Sequence, residues 1–365
     1  MNWSAEDRGF MAQALSLAQR ALYTTTPNPR VGCVLVQQGT VIGQGYTQPA
    51  GRNHAEIEAL GDAAGRHAVT NGATAYLNLE PCSHFGLTPP CADALIAAGI
   101  GRVVAAMLDP NPLVAGRGLE RLRAAGIATE CGLMEDEARE MNIGFVARMT
   151  RGRPWLRLKI AASLDGKTAL NNGRSQWLTG AAARADGHHW RARACAILTG
   201  IGTVQADDPQ LTVRAVATPR QPLKVLVDRG LELPLSARLL DGGKLLLATA
   251  SRDGGRTAAL LARGAEVLCL ADAGGKVDLR GLLEELARRG INEVHAEAGA
   301  GLNGALLAAG LVDELLVYLA PSLIGDAARG MFALPELEDL ALKRELNIID
   351  VERFASDLRI IARVL

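Results

Sequence analysis

Short apolar stretches alternate with segments of helical periodicity along the whole chain of 365 residues. Ser4 followed by Asp7 is typical of a helix start, and apolar residues then recur at helical spacing as far as the polar residues 24–29. We predict strands over 31–36, 41–45, 73–79, 102–107 and 127–131, and helices from His54 to about 64, from Pro90 onward, over 119–125 and over 135–149. This alternation predicts a sheet covered by helices on both faces.

The same pattern restarts after the short polar segment 151–154, so we place a domain boundary near residue 150 and expect domains over 1–150 and 151–365. A helix is predicted over 181–194, and alanine- and leucine-rich helices separate the later strands. The predicted strands cover 155–162, 194–199, 223–227, 244–248, 265–270, 291–297, 315–319 and 358–364. The fold class is therefore α/β in both halves.

Composition and charge narrow the function classes. The chain is 48% hydrophobic and 21% charged, as in soluble globular proteins, and its 39 basic and 39 acidic residues give zero net charge. Zero charge argues against a general nucleic-acid binder but allows a few arginines around one phosphorylated small molecule. Six scattered cysteines, no secretory signal and no apolar run of about 20 residues predict a cytoplasmic protein without a membrane partner.

The sharpest chemical motif consists of His54, Glu56, Cys82 and Cys91. One histidine and two cysteines suit a tetrahedral zinc that keeps its fourth position for water, and the glutamate is placed to move protons beside the metal. A structural zinc site or an unrelated scatter of cysteines is the alternative. Such a site would not need Glu56 and would usually have a fourth protein ligand. The motif therefore predicts hydrolytic deamination of an amidine-like ring carbon.

A second motif, G-x-G-x-x-G over 299–304, lies between a predicted strand and a predicted helix, where backbone N–H groups can bind phosphate. Alone it is weak, since glycines also serve tight turns, and its late position disfavours an ordinary Rossmann fold. His188 shares a helix face with Arg191, and we expect it to pack or to lie on the surface rather than to bind a metal.

Several motifs of the first half together resemble the deaminase half of the bacterial bifunctional riboflavin-biosynthesis (RibD) family. They are Pro27-Asn28-Pro29-Arg30-Val31-Gly32, His54-Ala55-Glu56, Glu80-Pro81-Cys82-Ser83-His84, Thr88-Pro89-Pro90-Cys91 and Asp109-Pro110-Asn111-Pro112. The resemblance implies a cytidine-deaminase-like three-layer domain in which His54, Cys82 and Cys91 bind zinc and Glu56 is the proton shuttle. It also implies that Asn28 binds substrate, although plain turn chemistry is the alternative for a residue between two prolines.

The second half resembles the reductase domain of the same family, in the family's order, through Lys159, residues 163–168 and 175–177, Arg191, residues 202–204 and 207–209, 211–214 and 297–299. The resemblance implies a dihydrofolate-reductase-like fold that uses NADPH. Residues implied to hold NADPH are Ala161, Trp177, Thr203, Asp207, Gly299, Ala300, Gly301, Leu302, Asn303, Gly304 and Ala305. Residues implied to hold the substrate are Ser175, Arg191, Leu211, Arg214 and Glu297. Guanidinium groups bind phosphate oxygens in pairs, so Arg191 and Arg214 suit a phosphate, with solvated surface arginine as the alternative. Lys159 and Asp207 are candidate proton handlers.

Three positions depart from the family pattern. Thr47 stands where members commonly have histidine, Leu87 where they commonly have lysine or arginine, and Arg229 follows Asp228 in place of serine. These departures keep two alternatives open, a paralogue with another deaminase substrate and an inactive first half. We expect a homo-oligomeric enzyme of riboflavin biosynthesis that deaminates 2,5-diamino-6-(5-phosphoribosylamino)pyrimidin-4-one with zinc and then reduces its ribosyl chain to ribityl with NADPH.

Overall fold

The computed structural model describes residues 3–84 and 89–365, and the chain separates into two compact units, 1–152 and 153–365. Each unit contains its own sheet and its own hydrophobic core. Among the described residues, no helix combines the length and the apolar character needed to cross a bilayer.

The first unit is built on a five-stranded sheet in the order β2-β1-β3-β4-β5. Its strands are β1 (Gly32–Gln37), β2 (Thr40–Tyr46), β3 (Thr74–Leu77), β4 (Arg102–Ala105) and β5 (Ala128–Cys131). Its helices are α1 (Ala5–Gln19), α2 (Ala55–Gly65), α3 (Cys91–Ala97), α4 (Arg117–Ala124), α5 (Glu135–Met141) and α6 (Ile143–Arg151). Strand β1 is antiparallel to β2 and β3, and β3, β4 and β5 are parallel.

Glycines let helices approach both faces of this sheet. A Cβ on Gly32 of β1 would lie 1.9 Å from the carbonyl oxygen of Ala14 in α1. A Cβ on Gly45 of β2 would lie 2.5 Å from the carbonyl oxygen of Ala55 in α2. Gly45 is paired with Cys33, the neighbour of Gly32 in β1, so the two glycines face opposite sides of the sheet. The unit therefore has three layers, with α1 and α2 on opposite faces.

The start of α1 follows the predicted capping pattern. The Ser4 hydroxyl accepts a hydrogen bond from the Asp7 N–H at 3.0 Å, and the Asp7 carboxylate accepts one from the Ser4 N–H at 3.1 Å. By contrast, the prediction of one helix over 135–149 is wrong, because α5 and α6 meet at Asn142. The buried Asn142 side chain accepts from the Arg30 N–H at 2.8 Å and donates to the Arg30 carbonyl at 3.0 Å.

The second unit has a nine-stranded sheet in the order β11-β10-β9-β8-β12-β6-β13-β16-β15 and a small two-stranded sheet of β7 and β14. Its strands are β6 (Trp155–Ser163), β7 (Lys167–Ala169), β8 (Ala196–Gly200), β9 (Leu223–Val227), β10 (Leu245–Thr249), β11 (Ala265–Cys269), β12 (Glu293–Ala296), β13 (Glu314–Ala320), β14 (Arg329–Gly330), β15 (Leu346–Phe354) and β16 (Asp357–Val364). Its helices are α7 (Ala181–Arg193), α8 (Ile201–Asp207), α9 (Gly254–Ala262), α10 (Leu279–Arg288) and α11 (Ala300–Ala308), with short 3₁₀ turns at Arg238–Leu240 and Leu340–Leu342.

In the order of the sheet, neighbouring strands are parallel from β11 through β10, β9, β8, β12 and β6 to β13. Strand β16 is antiparallel to both of its neighbours, β13 and β15. Apolar runs such as Leu245–Thr249 are fully buried because helices cover the parallel part. Strand β15 is absent from the sequence prediction, since its exposed face carries apolar residues and hides the usual alternation. Strand β8 runs straight into helix α8, which begins at Ile201 directly after Gly200.

Candidate functional site

Three side chains of the first unit meet as the metal motif predicts. His54 is the N-cap of α2, Cys91 is the first residue of α3, and Cys82 follows β3. The His54 Nδ1 atom lies 3.7 Å from the Cys82 sulfur and 3.3 Å from the Cys91 sulfur. All three ligand atoms lie within 4.8 Å of one another.

These separations fit a tetrahedral zinc ion. Bonds of about 2.3 Å to sulfur and about 2.0 Å to nitrogen at tetrahedral angles place the ligand atoms roughly 3.5–3.8 Å apart. Within residues 3–84 and 89–365, the metal cluster contains no fourth protein ligand, which leaves one position for water. The Cys91 N–H donates to the Cys82 sulfur at 3.3 Å, and the pKa of Cys82 is lowered by the Cys91 thiol, by His54 and by this N–H. A thiolate is the form that binds zinc.

Glu56 lies in the first turn of α2, buried beside the ligands. Burial, followed by the charge of the Cys82 thiolate, raises the pKa of Glu56 to about 7. Cys33 lies in β1, on the same side of the sheet as α2. Burial raises the pKa of its thiol, and the charge of the Glu56 carboxylate raises it further. A glutamate that exchanges its proton near neutral pH is suited to general acid–base work.

Glu80 organises the strand end that carries Cys82, and sequence reasoning missed this role. Its buried carboxylate accepts four backbone N–H groups, from Asp109 at 3.1 Å, Gly116 at 2.8 Å, Gly118 at 2.8 Å and Leu119 at 3.1 Å. These bonds hold the loop after β4 and the start of α4 against the zinc-ligand segment. The only sequence signal is the position of Glu80 directly before Pro81-Cys82.

Two positions that depart from the family pattern have different outcomes. Thr47 is buried, and its hydroxyl accepts from the Val31 N–H at 3.2 Å, beside the paired strands β1 and β2. Leu87 lies outside the described residues. Asn28 is partly buried, and its backbone N–H donates to the Thr25 carbonyl at 2.9 Å, as in a turn. Its predicted substrate contact stays a prediction.

In the second unit, Arg191 of α7 and Glu297 after β12 form a two-point ion pair. Arg191 Nε donates to Oε1 and Nη2 donates to Oε2 at 2.9 Å, while Nη1 donates to the Thr212 carbonyl at 3.2 Å. The Nε2 atom of buried His295 lies 3.4 Å from Glu297 Oε1 without a hydrogen bond. Both predicted substrate residues therefore already bind each other, and Arg191 keeps two N–H donors for a ligand.

Other predicted residues make contacts of their own in the second unit. The Ser175 hydroxyl donates to Asp207 Oδ1 at 3.2 Å, and Trp177 is exposed beneath the guanidinium of Arg184 at 4.7 Å. Arg214 is exposed, and its backbone N–H donates to His188 Nδ1 at 3.4 Å. His188 thus lies beside a predicted substrate arginine, a placement that its shared helix face with Arg191 could have indicated. Burial, with Glu297 opposing, lowers the pKa of Lys159.

The glycine motif follows β12 as predicted, but only Gly299 precedes the helix, and residues 300–304 form the first turns of α11. Its residues therefore differ in role. Gly299 is the N-cap of α11, and a Cβ on Gly301 would meet nothing within 4 Å. A Cβ on Gly304 would lie 2.1 Å from the Ala333 carbonyl oxygen, so this glycine permits packing rather than phosphate contact. The side chain of Asn303 is also buried.

Leu211 is buried within the core cluster that includes Ile197 and Leu226. Its side chain therefore faces the protein interior, and only its backbone remains to meet the predicted substrate. Two further residues implied to hold NADPH, Ala161 on β6 and Thr203 on α8, are partly buried. Ala300, Leu302 and Ala305 lie in α11.

Comparison with known proteins identifies both halves. Residues 4–107 match the cytidine and deoxycytidylate deaminase zinc-binding region, and residues 154–360 match the RibD C-terminal domain. The riboflavin biosynthesis protein RibD of Escherichia coli is 46% identical over 97% of this chain and 98% of its own length.

Solved structures agree over the full length. Acinetobacter baumannii RibD has a TM-score of 0.91 at 42% identity and covers 99% of both chains. A Thermotoga maritima diaminohydroxyphosphoribosylaminopyrimidine deaminase/5-amino-6-(5-phosphoribosylamino)uracil reductase has a TM-score of 0.88 at 31% identity, again over 99% of both. The predicted fold class, the enzyme class and the zinc and NADPH requirements are confirmed. The chain belongs to the RibD family of bifunctional, zinc- and NADPH-dependent deaminase–reductases of riboflavin biosynthesis.

Proposed function

We propose that residues 1–150 deaminate 2,5-diamino-6-(5-phosphoribosylamino)pyrimidin-4-one and that residues 151–365 reduce the ribosyl chain of the product to ribityl. The first step consumes one water and releases one ammonia, and the second consumes one NADPH and one proton. The observation that carries the proposal is the convergence of His54, Cys82 and Cys91 beside buried Glu56.

In the first half, His54, Cys82 and Cys91 hold the metal and Glu56 moves the proton. Zinc held by these three residues would lower the pKa of a water molecule at its open position toward neutrality. Glu56 takes a proton from the attacking water and returns it to the leaving amine, a task that suits its buried position and raised pKa. Asn28 contributes to substrate binding at the same site.

In the second half, the substrate contacts the ion pair of Arg191 and Glu297, whose two hydrogen bonds fix both side chains. Arg214 is exposed, and although its Nη1 donates to the Gln210 and Thr212 side chains, its Nε and Nη2 can bind a phosphate. Arg191 offers only the donors that Glu297 and Thr212 leave. When bound, NADPH would supply the hydride, and the backbone N–H groups at the N-terminus of α11 would hold its phosphates. Lys159 and Asp207 are the candidates for handling the proton.

A coupled assay tests both activities of the full chain. Purified protein receives zinc, NADPH and the diaminopyrimidinone, and ammonia release and NADPH oxidation are followed separately. We expect ammonia release first and NADPH oxidation second. The Glu56→Ala protein should retain zinc by metal analysis and lose ammonia release while still reducing pre-deaminated substrate. Unchanged deamination in that variant would refute the role of Glu56.

The substrate of the first half is tested through residue 87. Leu87 stands where the family commonly has a basic residue, and a charge-assisted contact with a phosphate contributes roughly 1.5–3 kcal/mol. If wild type deaminates the diaminopyrimidinone at roughly 1 per second or faster, the native substrate is the riboflavin intermediate. Activity that appears only in Leu87→Arg would favour a redirected paralogue instead.

We also propose that the enzyme is a cytoplasmic homo-oligomer in which β15 contacts a second copy. This edge strand exposes 60% of Ile348 and 56% of Val351, together with a row of unpaired backbone groups that a partner strand could bind. Light scattering after gel filtration should show an oligomer that Ile348→Glu dissociates and that Leu261→Glu, at an exposed position of α9, leaves intact. A monomeric wild type would refute the interface.

The scattered cysteines, none of which forms a disulfide, support a reducing compartment.

A further inference from the structure

The turn after β6 holds a distant segment of the second unit, residues 322–333. The Asp165 carboxylate accepts backbone N–H groups from Ile324 at 3.0 Å and from Gly325 at 2.8 Å, and it also accepts from the Ser163 hydroxyl. The Leu164 N–H donates to the Ser322 carbonyl at 2.9 Å. These bonds give the Ser163–Thr168 motif a structural role. The proposed catalytic mechanism had assigned it none.

The middle of segment 322–333 is bound by the same turn. Strand β14 in the segment pairs with β7, which follows directly after Asp165 and Gly166. The Thr168 hydroxyl donates to the Gly330 carbonyl at 3.2 Å. The side chains of Met331 and Phe332 then pack on the core of the second unit.

The far end of the segment holds the first turns of α11. The Ala333 N–H donates to the Ala300 carbonyl at 2.9 Å, and the Asn303 side-chain amide donates to the Met331 carbonyl at 3.1 Å. Gly304 approaches Ala333 so closely that no side chain fits between them. Segment 322–333 therefore links the Asp165 turn with the glycine motif through continuous contacts.

We infer that Asp165 is a positioning residue for NADPH, acting through segment 322–333 on the N-terminal turns of α11. This inference rests on the proposed role of residues 299–305 in cofactor binding. Backbone N–H groups at a helix start bind a phosphate only when they are held at the right place, and errors of about 1 Å are costly at such sites. Asp165 supplies that placement from outside the cofactor site, because its acceptor bonds order a segment with little regular structure.

The bonds are charge-assisted. The Ser163 hydroxyl, followed by the Gly325 N–H, lowers the pKa of Asp165 to about 2, so the carboxylate is ionised at neutral pH. An amide at this position keeps one acceptor oxygen and places an NH₂ group where the second acceptor stood. Asp165→Asn should therefore weaken the attachment of segment 322–333, and Asp165→Ala should weaken it further.

Binding of NADPH to the full-length protein, measured by fluorescence titration, tests the inference. We expect Asp165→Ala to raise the Kd for NADPH about tenfold or more, Asp165→Asn to raise it less, and Thr168→Val to shift it in the same direction. At saturating NADPH the kcat for reduction should be retained, and ammonia release by the first unit should stay at the wild-type rate. Asp272→Ala is the matched control, because Asp272 also accepts two backbone N–H groups, from Gly274 and Lys276, in a turn unconnected with α11.

Gly301→Asp separates failure of this inference from failure of the proposed cofactor site. A Cβ on Gly301 meets no atom beyond its own stretch of helix within 4 Å, and a carboxylate there should repel phosphate and abolish NADPH binding. If Gly301→Asp binds NADPH normally, the cofactor site itself is wrong. If Gly301→Asp loses NADPH but Asp165→Ala keeps wild-type affinity, or loses kcat while Kd is unchanged, positioning by Asp165 is overturned. Partial restoration of affinity in Asp165→Asn relative to Asp165→Ala supports it.

Discussion

Arg191 and Glu297 are joined by two parallel hydrogen bonds in the second unit, with Nη2 2.9 Å from Oε2. The two side chains are 16% and 15% exposed. Removing one partner of a largely buried pair leaves an uncompensated charge. Breaking the pair should therefore destabilise this unit as well as disturb the proposed substrate site.

We expect Glu297→Gln to lower the free energy of unfolding by about 3 kcal/mol and to abolish reduction. Ammonia release should persist, because the metal cluster belongs to the first unit. Urea denaturation with both assays measures the effect. The control is Glu266→Gln, which breaks a pair with Arg289 in which Glu266 is 56% exposed, and it should cost at most about 1 kcal/mol. Equal losses in the two variants would contradict a special role for the buried pair.

The protonation of His188 reports the electrostatics of the same site. Burial, followed by the charges of Arg191 and Arg214, lowers the pKa of His188 to about 4, whereas Glu297 opposes this and His189 adds to it. The unfolded chain, with a pKa near 6.5, binds more protons than the folded chain between pH 6.5 and 4. The contribution of neutral His188 is thus complete above about pH 6.5 and is lost as the pH falls toward 4.

NMR of the full chain with labelled histidine, assigned with His188→Gln, should show His188 titrating well below the histidine reference value of about 6.5. Arg214→Gln should raise this pKa, because one of the two nearby cations is removed. A His188 that titrates near 6.5 in wild type, or that ignores the arginine substitution, would contradict its placement between the two arginines.

Glu80 should couple the stability of the first unit to its metal. In Glu80→Gln, either orientation of the amide turns its NH₂ group toward two backbone N–H donors. We expect a loss of about 3 kcal/mol of stability and weaker zinc binding in chelator competition. Glu130→Gln, which breaks a partly exposed pair with Arg102, should lower stability by at most about 1 kcal/mol with zinc affinity unchanged. Normal zinc affinity in Glu80→Gln would show that the bonds serve stability alone.

Two glycines of the first unit should respond oppositely to alanine. Gly9 is exposed in α1, and a Cβ there would meet nothing within 4 Å, so Gly9→Ala should stabilise by about 0.5–1 kcal/mol through helix propensity. Gly32→Ala places a methyl group 1.9 Å from the Ala14 carbonyl oxygen and should destabilise by about 1–3 kcal/mol. Thermal unfolding of the two variants beside wild type measures both. A neutral Gly32→Ala would mean that α1 shifts easily on the sheet.

The sequence alone determined the metal motif, the order of most elements and the family. His54 and Cys91 were predictable as helix-start residues because caps and ligand types are local features, and the buried parallel strands are visible as apolar runs. Only the tertiary structure decided that Glu297 neutralises Arg191, that Glu80 holds the loop after β4, and that Gly304 serves packing against Ala333. The two residues of each of these contacts lie 29 to 106 positions apart in the sequence, so no local sequence pattern predicts the contact. The residue types determine which chemistry the side chains can perform, whereas the path of the backbone determines which side chains contact each other.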